Sequence, residues 1–300
     1  MLYDGSDCLN PEFAVRWSFL LGFLFASALI ADEPIRITKD GSFKQHLQWS
    51  PDGARFLFTR IHEGKMALWT MTAEGGDLKR LVAKDTPHFD GHWSSDGKKV
   101  VFVLDILQGT DGKLQIDTIN ADGTEHKPLV PHKAFEESPR WSPDGSKVLW
   151  VSTRDGNPEL YTCKADGTDI KRLTSEVAFD LHPAWSPDGK RIAFSSGRTG
   201  KQKLYAMNAD GSSVKKLTDG EGLDSWPAWS PDGKRIAFVS HRDGNYDIHL
   251  LDSEGKGRVN LTSHVAQDTS PTWSRDGKRI AFISTRAGGS DVYVVSVKSR

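Results

Sequence analysis

Apolar and polar residues alternate along this chain in short runs, with the two-residue period of strands and no sustained helical period between them. The stretch Trp229-Ser230-Pro231-Asp232-Gly233-Lys234-Arg235-Ile236-Ala237-Phe238-Val239-Ser240 shows the unit most fully. Trp229 closes one extended segment. Pro231 presets φ for a turn, Asp232 can bond its own backbone amides, and Gly233 tolerates φ > 0. Ile236, Phe238 and Ser240 then alternate with Arg235, Ala237 and Val239 as a second strand rich in β-branched and aromatic residues.

The same block recurs at Trp49, Trp93, Trp141, Trp185, Trp229 and Trp273, at spacings of 44, 48, 44, 44 and 44 residues. Two further landmarks keep register with it. Thr174, Thr218 and Thr262, closing Lys-Arg-Leu-Thr-type runs, each lie 11 residues before a tryptophan. Turns of the type Ala165-Asp166-Gly167 return at Ala121-Asp122-Gly123, Ala209-Asp210-Gly211 and, loosely, Ser253-Glu254-Gly255. Each unit therefore holds four short strands in about 40–45 residues, which predicts an all-β fold: a six-bladed β-propeller of four-stranded blades.

The run W-S-P-D-G-K-R-I-A-F, followed by R-D-G-N-x-D-I and A-D-G-x-x-x-K-R-L-T, resembles the repeat of the TolB-like propeller family, with its PD40 or WD40-like repeats. The resemblance spans residues 35–297. It implies the propeller; TolB itself is a periplasmic protein of the Tol–Pal envelope system. It also departs from TolB, whose α/β domain has no counterpart among these residues.

The last repeat runs through Asp291–Val297 with no fourth strand after it, while Ile35-Arg36-Ile37-Thr38 places Thr38 11 residues before Trp49. An N-terminal strand is therefore expected to complete the last blade and close the ring, removing an exposed sheet edge. Residues 1–31 fall outside the repeat. Arg16, then the apolar run from Trp17 to Phe25, then Ala26-Ser27-Ala28 read as a signal peptide, with the propeller over residues 32–300. The acidic residues Asp4, Asp7 and Glu12 suit such a leader poorly, so Val15 is a candidate true start. Periplasmic or secreted localisation follows, with no membrane span once the leader is removed.

Composition adds exclusions. The 300 residues are 37% hydrophobic and 26% charged with a net charge of −1, which argues against nucleic acid as a partner. Of two cysteines, Cys8 lies in the leader and Cys163 in a predicted third strand, where it reads as a small buried hydrophobe. A monomer with no cofactor is expected.

The six tryptophans and the turn aspartates Asp52, Asp96, Asp144, Asp188, Asp232 and Asp276 recur in every unit and read as packing and turn chemistry. Function is expected on the face where the loops differ between blades. Five residues before each tryptophan come Lys44, His88, Glu136, Asp180, Asp224 and Asp268; three before come His46, Asp90, Ser138, His182, Trp226 and Ser270. Equal strand parity would aim both sets at the channel mouth. The partner-binding candidates are Lys44, His46, His88, Asp90, Glu136, Asp180, His182, Asp224, Trp226 and Asp268.

Two readings of the acidic ring stand side by side. It either docks a Lys- or Arg-bearing loop, with salt-sensitive affinity, or is neutralised by Arg154, Arg198, Arg242 and Arg286 at the ends of the second strands. Arg60 stands at that strand end too, whereas the second repeat has Asp105 there and a four-residue insertion within Ile106–Lys113. Trp226, the one tryptophan at its position, is the leading contact residue, with packing under its loop as the other reading. The expected function is a non-enzymatic scaffold that docks a protein or peptide, by resemblance a Pal-type envelope protein. The alternative is a metal-dependent lyase or lactonase holding its ion with His46, His88, Asp90 and His182. No catalytic residue is assigned, since no paired-His or G-x-S-x-G spacing appears.

Overall fold

The computed structural model describes residues 32–106 and 112–298. The predicted leader (1–31), the Val15 start and most of the Ile106–Lys113 insertion lie outside the described residues. Within them the chain forms 24 strands and no helix, arranged as six four-stranded antiparallel sheets, the blades of a six-bladed propeller. After β1 (Ile35–Arg36), blade one comprises β2 (Lys44–Trp49), β3 (Arg55–His62), β4 (Lys65–Thr72) and β5 (Lys79–Arg80). Blade two comprises β6 (His88–Trp93), β7 (Lys99–Ile106), β8 (Lys113–Asn120) and β9 (Lys127–Val130), and blade three β10 (Glu136–Trp141), β11 (Lys147–Ser152), β12 (Glu159–Lys164) and β13 (Lys171–Arg172). Blade four holds β14 (Asp180–Trp185), β15 (Arg191–Ser196), β16 (Lys203–Asn208) and β17 (Lys215–Lys216), and blade five β18 (Asp224–Trp229), β19 (Arg235–Ser240), β20 (Asp247–Asp252) and β21 (Val259–Asn260). Blade six is β22 (Asp268–Trp273), β23 (Arg279–Ser284) and β24 (Asp291–Ser296), with β1 as its outer strand.

Each landmark has a physical job. In the first turn the serine hydroxyl donates to the aspartate, as from Ser230 to Asp232 (2.6 Å), whose same oxygen accepts the amide two residues on (Lys234, 3.1 Å). The glycine amide returns to the serine carbonyl (Gly233 to Ser230, 2.9 Å). Those bonds hold the turn carboxyls low, Asp144 at about 2. The threonine hydroxyl accepts an amide from the third strand: Leu160 to Thr174, Leu204 to Thr218 and Ile248 to Thr262, each 3.0 Å. In blade six Thr38 does the same for Val292, also at 3.0 Å, so the predicted closure is observed bond for bond. Ile35 pairs with Val294 and Arg36 with Tyr293.

The core lies within and between blades. Nine residues after each tryptophan comes an aromatic of the second strand: Phe58, Phe102, Trp150, Phe194, Phe238 or Phe282, all fully buried. Each contributes roughly 2–3 kcal/mol of apolar transfer energy. The repeat tryptophans pack between neighbours: Trp49 joins Phe56 to Ala281 and Ile283 of blade six, and Trp273 packs on Ala237 and Val239 of blade five. Trp273 Nε1 also donates to the Ala228 carbonyl at 3.0 Å, and Trp229 Nε1 to Ala184 at 3.2 Å. Cys163 is buried, and burial pushes its thiol up to about 12. Among the described residues no helix is long and apolar enough to cross a membrane.

Candidate functional site

Shared parity of the two candidate rings does not hold. In every blade the innermost strand carries a β-bulge between the fourth and first residues before its tryptophan; in blade three the register jumps between Glu137 and Arg140. The bulge residue takes left-handed φ although it is never glycine: His46 51°, Asp90 49°, Ser138 52°, His182 51°, Trp226 49° and Ser270 53°. In blades three to six it also precedes a proline, where extended backbone is the preferred conformation. One extra residue turns the strand over, so positions separated by two no longer share a side.

The ring five residues before each tryptophan accordingly goes into the blades. Lys44, His88, Glu136, Asp180, Asp224 and Asp268 are all buried. Four of its members meet the arginine of their own blade: Glu136–Arg154 at 3.1 Å, Asp180–Arg198 at 2.9 Å, Asp224–Arg242 at 3.2 Å and Asp268–Arg286 at 2.8 Å. These arginines lie over aromatic rings as well, Arg154 above Trp150 and Tyr161, Arg286 above Phe282 and Tyr293. Burial raises the carboxyls of Glu136, Asp180 and Asp268 even against those cations. Blade one inverts the arrangement: Lys44 replaces the acid, and Asp40 answers both Lys44 (2.5 Å) and Arg60 (2.7 Å). In blade two His88 bonds the Thr86 carbonyl at 2.7 Å through Nδ1. Of the two readings of the acidic ring, the arginine pairing is the one found: the four acids are ion-paired inside the blades and do not open at the mouth.

The bulge ring goes the other way. His46, Asp90, His182, Trp226 and Ser270 line a central cavity of about 360 Å³, together with His92, Arg140 and the repeat tryptophans. Asp90 accepts from Arg140 at 2.8 Å, and the His46 ring shares a hydrogen bond with Thr59 Oγ1 at 3.0 Å. Burial alone would raise the Asp90 carboxyl, but the Arg140 guanidinium reverses this and holds it at about 2. His182 and His92 are both pushed down to about 3 by burial, with Arg140 adding to it, so their rings are neutral at pH 7. His182 lies 4.7 Å from the Trp226 ring, and its Nδ1 has no hydrogen-bond partner. Trp226 is half-buried: one part packs on the core shared by blades five and six, which is the packing foreseen for it, and another lines the cavity.

Arg140 and His92 were missed as candidates. They stand one residue before their tryptophans, two residues beyond the bulge positions, and line the cavity beside them. Of the four metal candidates, His88 does not line the cavity. Among the described residues one group of three potential ligands gathers within 4.8 Å, Asp243, Asp247 and His249 of blade five, and it includes none of the four.

Comparison with known proteins places this geometry. A family model described as TolB beta propeller domain (PD40) matches residues 107–225 and 215–300. The fold is similar to that of TolB from Acinetobacter baumannii, with 22% identity and a TM-score of 0.71 over 79% of this chain and 59% of that one. A putative TolB from Agrobacterium tumefaciens is similar at 22% identity and a TM-score of 0.68, over 88% of this chain and 93% of that one. An oligogalacturonate lyase from Vibrio parahaemolyticus is similar at 14% identity and a TM-score of 0.63, over 88% and 93%. The chain thus spans 59% of the length of the Acinetobacter protein. Comparison with curated proteins finds no match.

Proposed function

This chain belongs to the TolB β-propeller (PD40) family, and on that footing we propose that it is an exported binding propeller whose channel receives a segment of a partner protein. It performs no chemistry of its own. The observation that carries the reading is the six-fold bulge. Left-handed backbone at non-glycine residues costs roughly 1–3 kcal/mol each, and such strain concentrates where side chains must be aimed. Here it aims His46, Asp90, His182 and Trp226 at one cavity.

Within that cavity His182 and Trp226 form an aromatic shelf with one free ring nitrogen, and Asp90–Arg140 supplies a paired charge. Buried aromatic anchors with polar groups beside them are the usual centre of a protein interface. Because the outer carboxylates are already paired within their blades, affinity rests on aromatic burial and depends weakly on salt. The family resemblance suggests a Pal-type envelope protein as the partner, and the apolar leader suggests a periplasmic or secreted location. The metal-dependent lyase alternative has less behind it, since its ligand set has lost His88 to the interior of blade two.

The test is calorimetric binding of the full chain to the soluble domain of a Pal-type protein from the same organism. Trp226→Ala and His182→Ala are each expected to weaken it at least tenfold, about 1.4 kcal/mol. Asp210→Asn, in a turn between the third and fourth strands, serves as a control and leaves it unchanged. Absence of binding refutes that partner; binding indifferent to both channel variants refutes the channel as the docking site.

A further inference from the structure

Outside the channel, blade five lacks a cation that blade three has. In blade three Arg172 of β13 reaches two carboxylates, Asp155 at 3.5 Å and Glu159 at 3.2 Å, and the Tyr161 hydroxyl donates to Asp155. Counted from their tryptophans, Asp243, Asp247 and His249 occupy the positions of Asp155, Glu159 and Tyr161. Asn260 pairs with His249 in the register where Arg172 pairs with Tyr161. The two acids remain, but the cation between them is gone.

Asn260 Nδ2 now donates to Asp247 at 2.9 Å and to Asp243 at 3.4 Å, a neutral amide where a guanidinium stood. Asp247 is buried, and its other donors, the Thr262 hydroxyl and the His264 amide, are neutral too. Arg242 is engaged by Asp224, and Arg258 lies over the Phe238 ring; among the described residues neither comes within 4.0 Å of Asp243 or Asp247. A buried carboxylate without a counter-charge is costly.

His249 supplies a second, independent sign. It is only 2% exposed, and neither ring nitrogen has a hydrogen-bond partner. Its Nε2 faces Asp243 Oδ2 at 3.8 Å. The three side chains present one ligand atom each within 4.8 Å of one another. Ligands around a tetrahedral ion at about 2.0–2.2 Å stand roughly 3.3–3.6 Å apart; the His249–Asp243 pair is slightly wider than that, and Asp243 is the exposed member of the three.

We propose that Asp243, Asp247 and His249 form a divalent transition-metal site in blade five, with the ion taking the place that Arg172 fills in blade three. One imidazole with two carboxylates selects an ion of the Zn²⁺ or Mn²⁺ class over Ca²⁺ or Mg²⁺. The site shares no residue with the channel and goes beyond the docking role.

The experiment titrates Zn²⁺ into the chelator-stripped, dialysed full chain by calorimetry, with Mn²⁺ and Ca²⁺ in parallel. One equivalent of Zn²⁺ is expected to bind, more tightly than Ca²⁺. The double variant His249→Tyr with Asn260→Arg rebuilds the blade-three arrangement and supplies its own cation; it is expected to lose at least tenfold in affinity. Asp243→Asn, on the exposed loop, is expected to do the same and covers the case in which the double variant fails to fold. His182→Gln, in the channel, is expected to leave uptake unchanged. Absence of stoichiometric uptake overturns the proposal. So does uptake that survives Asp243→Asn and the double variant, uptake lost in His182→Gln, or a preference for Ca²⁺.

Discussion

Two glycines of blade four separate backbone conformation from blade contact. Gly200, in the loop between β15 and β16, and Gly211, in the turn between β16 and β17, have the same φ of +89°. A Cβ on Gly200 meets nothing within 4 Å, whereas one on Gly211 would lie 2.7 Å from the carbonyl oxygen of Leu173, in the outer segment of blade three. Replacing either by alanine places a side chain in a conformation that only glycine adopts freely, at roughly 1 kcal/mol. Gly211→Ala must in addition push two blades apart by several tenths of an ångström. Overpacking of that kind costs about 1–3 kcal/mol. The expected losses are therefore about 1 kcal/mol for Gly200→Ala and about 2–4 kcal/mol for Gly211→Ala. Urea unfolding followed by tryptophan fluorescence reads both, and the difference should appear as a lower midpoint at similar slope. Equal losses would mean that the blade-to-blade approach imposes nothing beyond the turn, and the packing argument would fail.

Two further outcomes follow from ring closure and from the half-buried channel histidines. Asp291 is buried and accepts from Arg36 (2.6 Å) and Thr38 (2.7 Å) on the far side of the chain, with Lys44 at 3.7 Å. Asp291→Ala breaks that clasp at about 3–5 kcal/mol, lowering the thermal midpoint by roughly 6–10 °C for a chain of this size; an unchanged midpoint, or an unchanged proteolysis rate at residues 32–41, would contradict closure by β1. His182 and His92 have folded pKa values near 3 against about 6.5 when unfolded, so the unfolded chain binds protons first. Stability should thus be intact above pH 6.5 and decline as pH falls toward 3, by about 2 kcal/mol per histidine at pH 5. His182→Gln should flatten the fall in midpoint between pH 7 and pH 5; an unaltered slope would mean that this ring is not held neutral.

The fold was legible because its signals are local and repeated. Each Ser-Pro-Asp-Gly turn satisfies itself within five residues, each aromatic nine residues past a tryptophan is buried, and Thr38 announced the closing strand by its distance from Trp49 alone. The channel was legible only in half. His46, Asp90, His182 and Trp226 were picked out by standing apart from a repeat, but Glu136, Asp180, Asp224 and Asp268 were aimed wrongly, because alternation is a sound guide to facing only while a strand stays regular. Nothing in the pattern of apolar and polar positions marks a bulge at residues as different as His46, Asp90 and Trp226.

What the sequence determined by itself is the number of blades, the turns and the ring's closure, all set by contacts between residues at a fixed repeat distance. What the tertiary structure decided is direction and partnership. The inner strands meet around one axis, and the bulge there turns one ring of side chains into the cavity and the other back onto the arginines of its own blade. In blade five, likewise, the loss of an arginine takes on meaning only when β20 and β21 bring Asp243, Asp247, His249 and Asn260 together. Such pairings depend on distances across strands, which no one-dimensional period encodes.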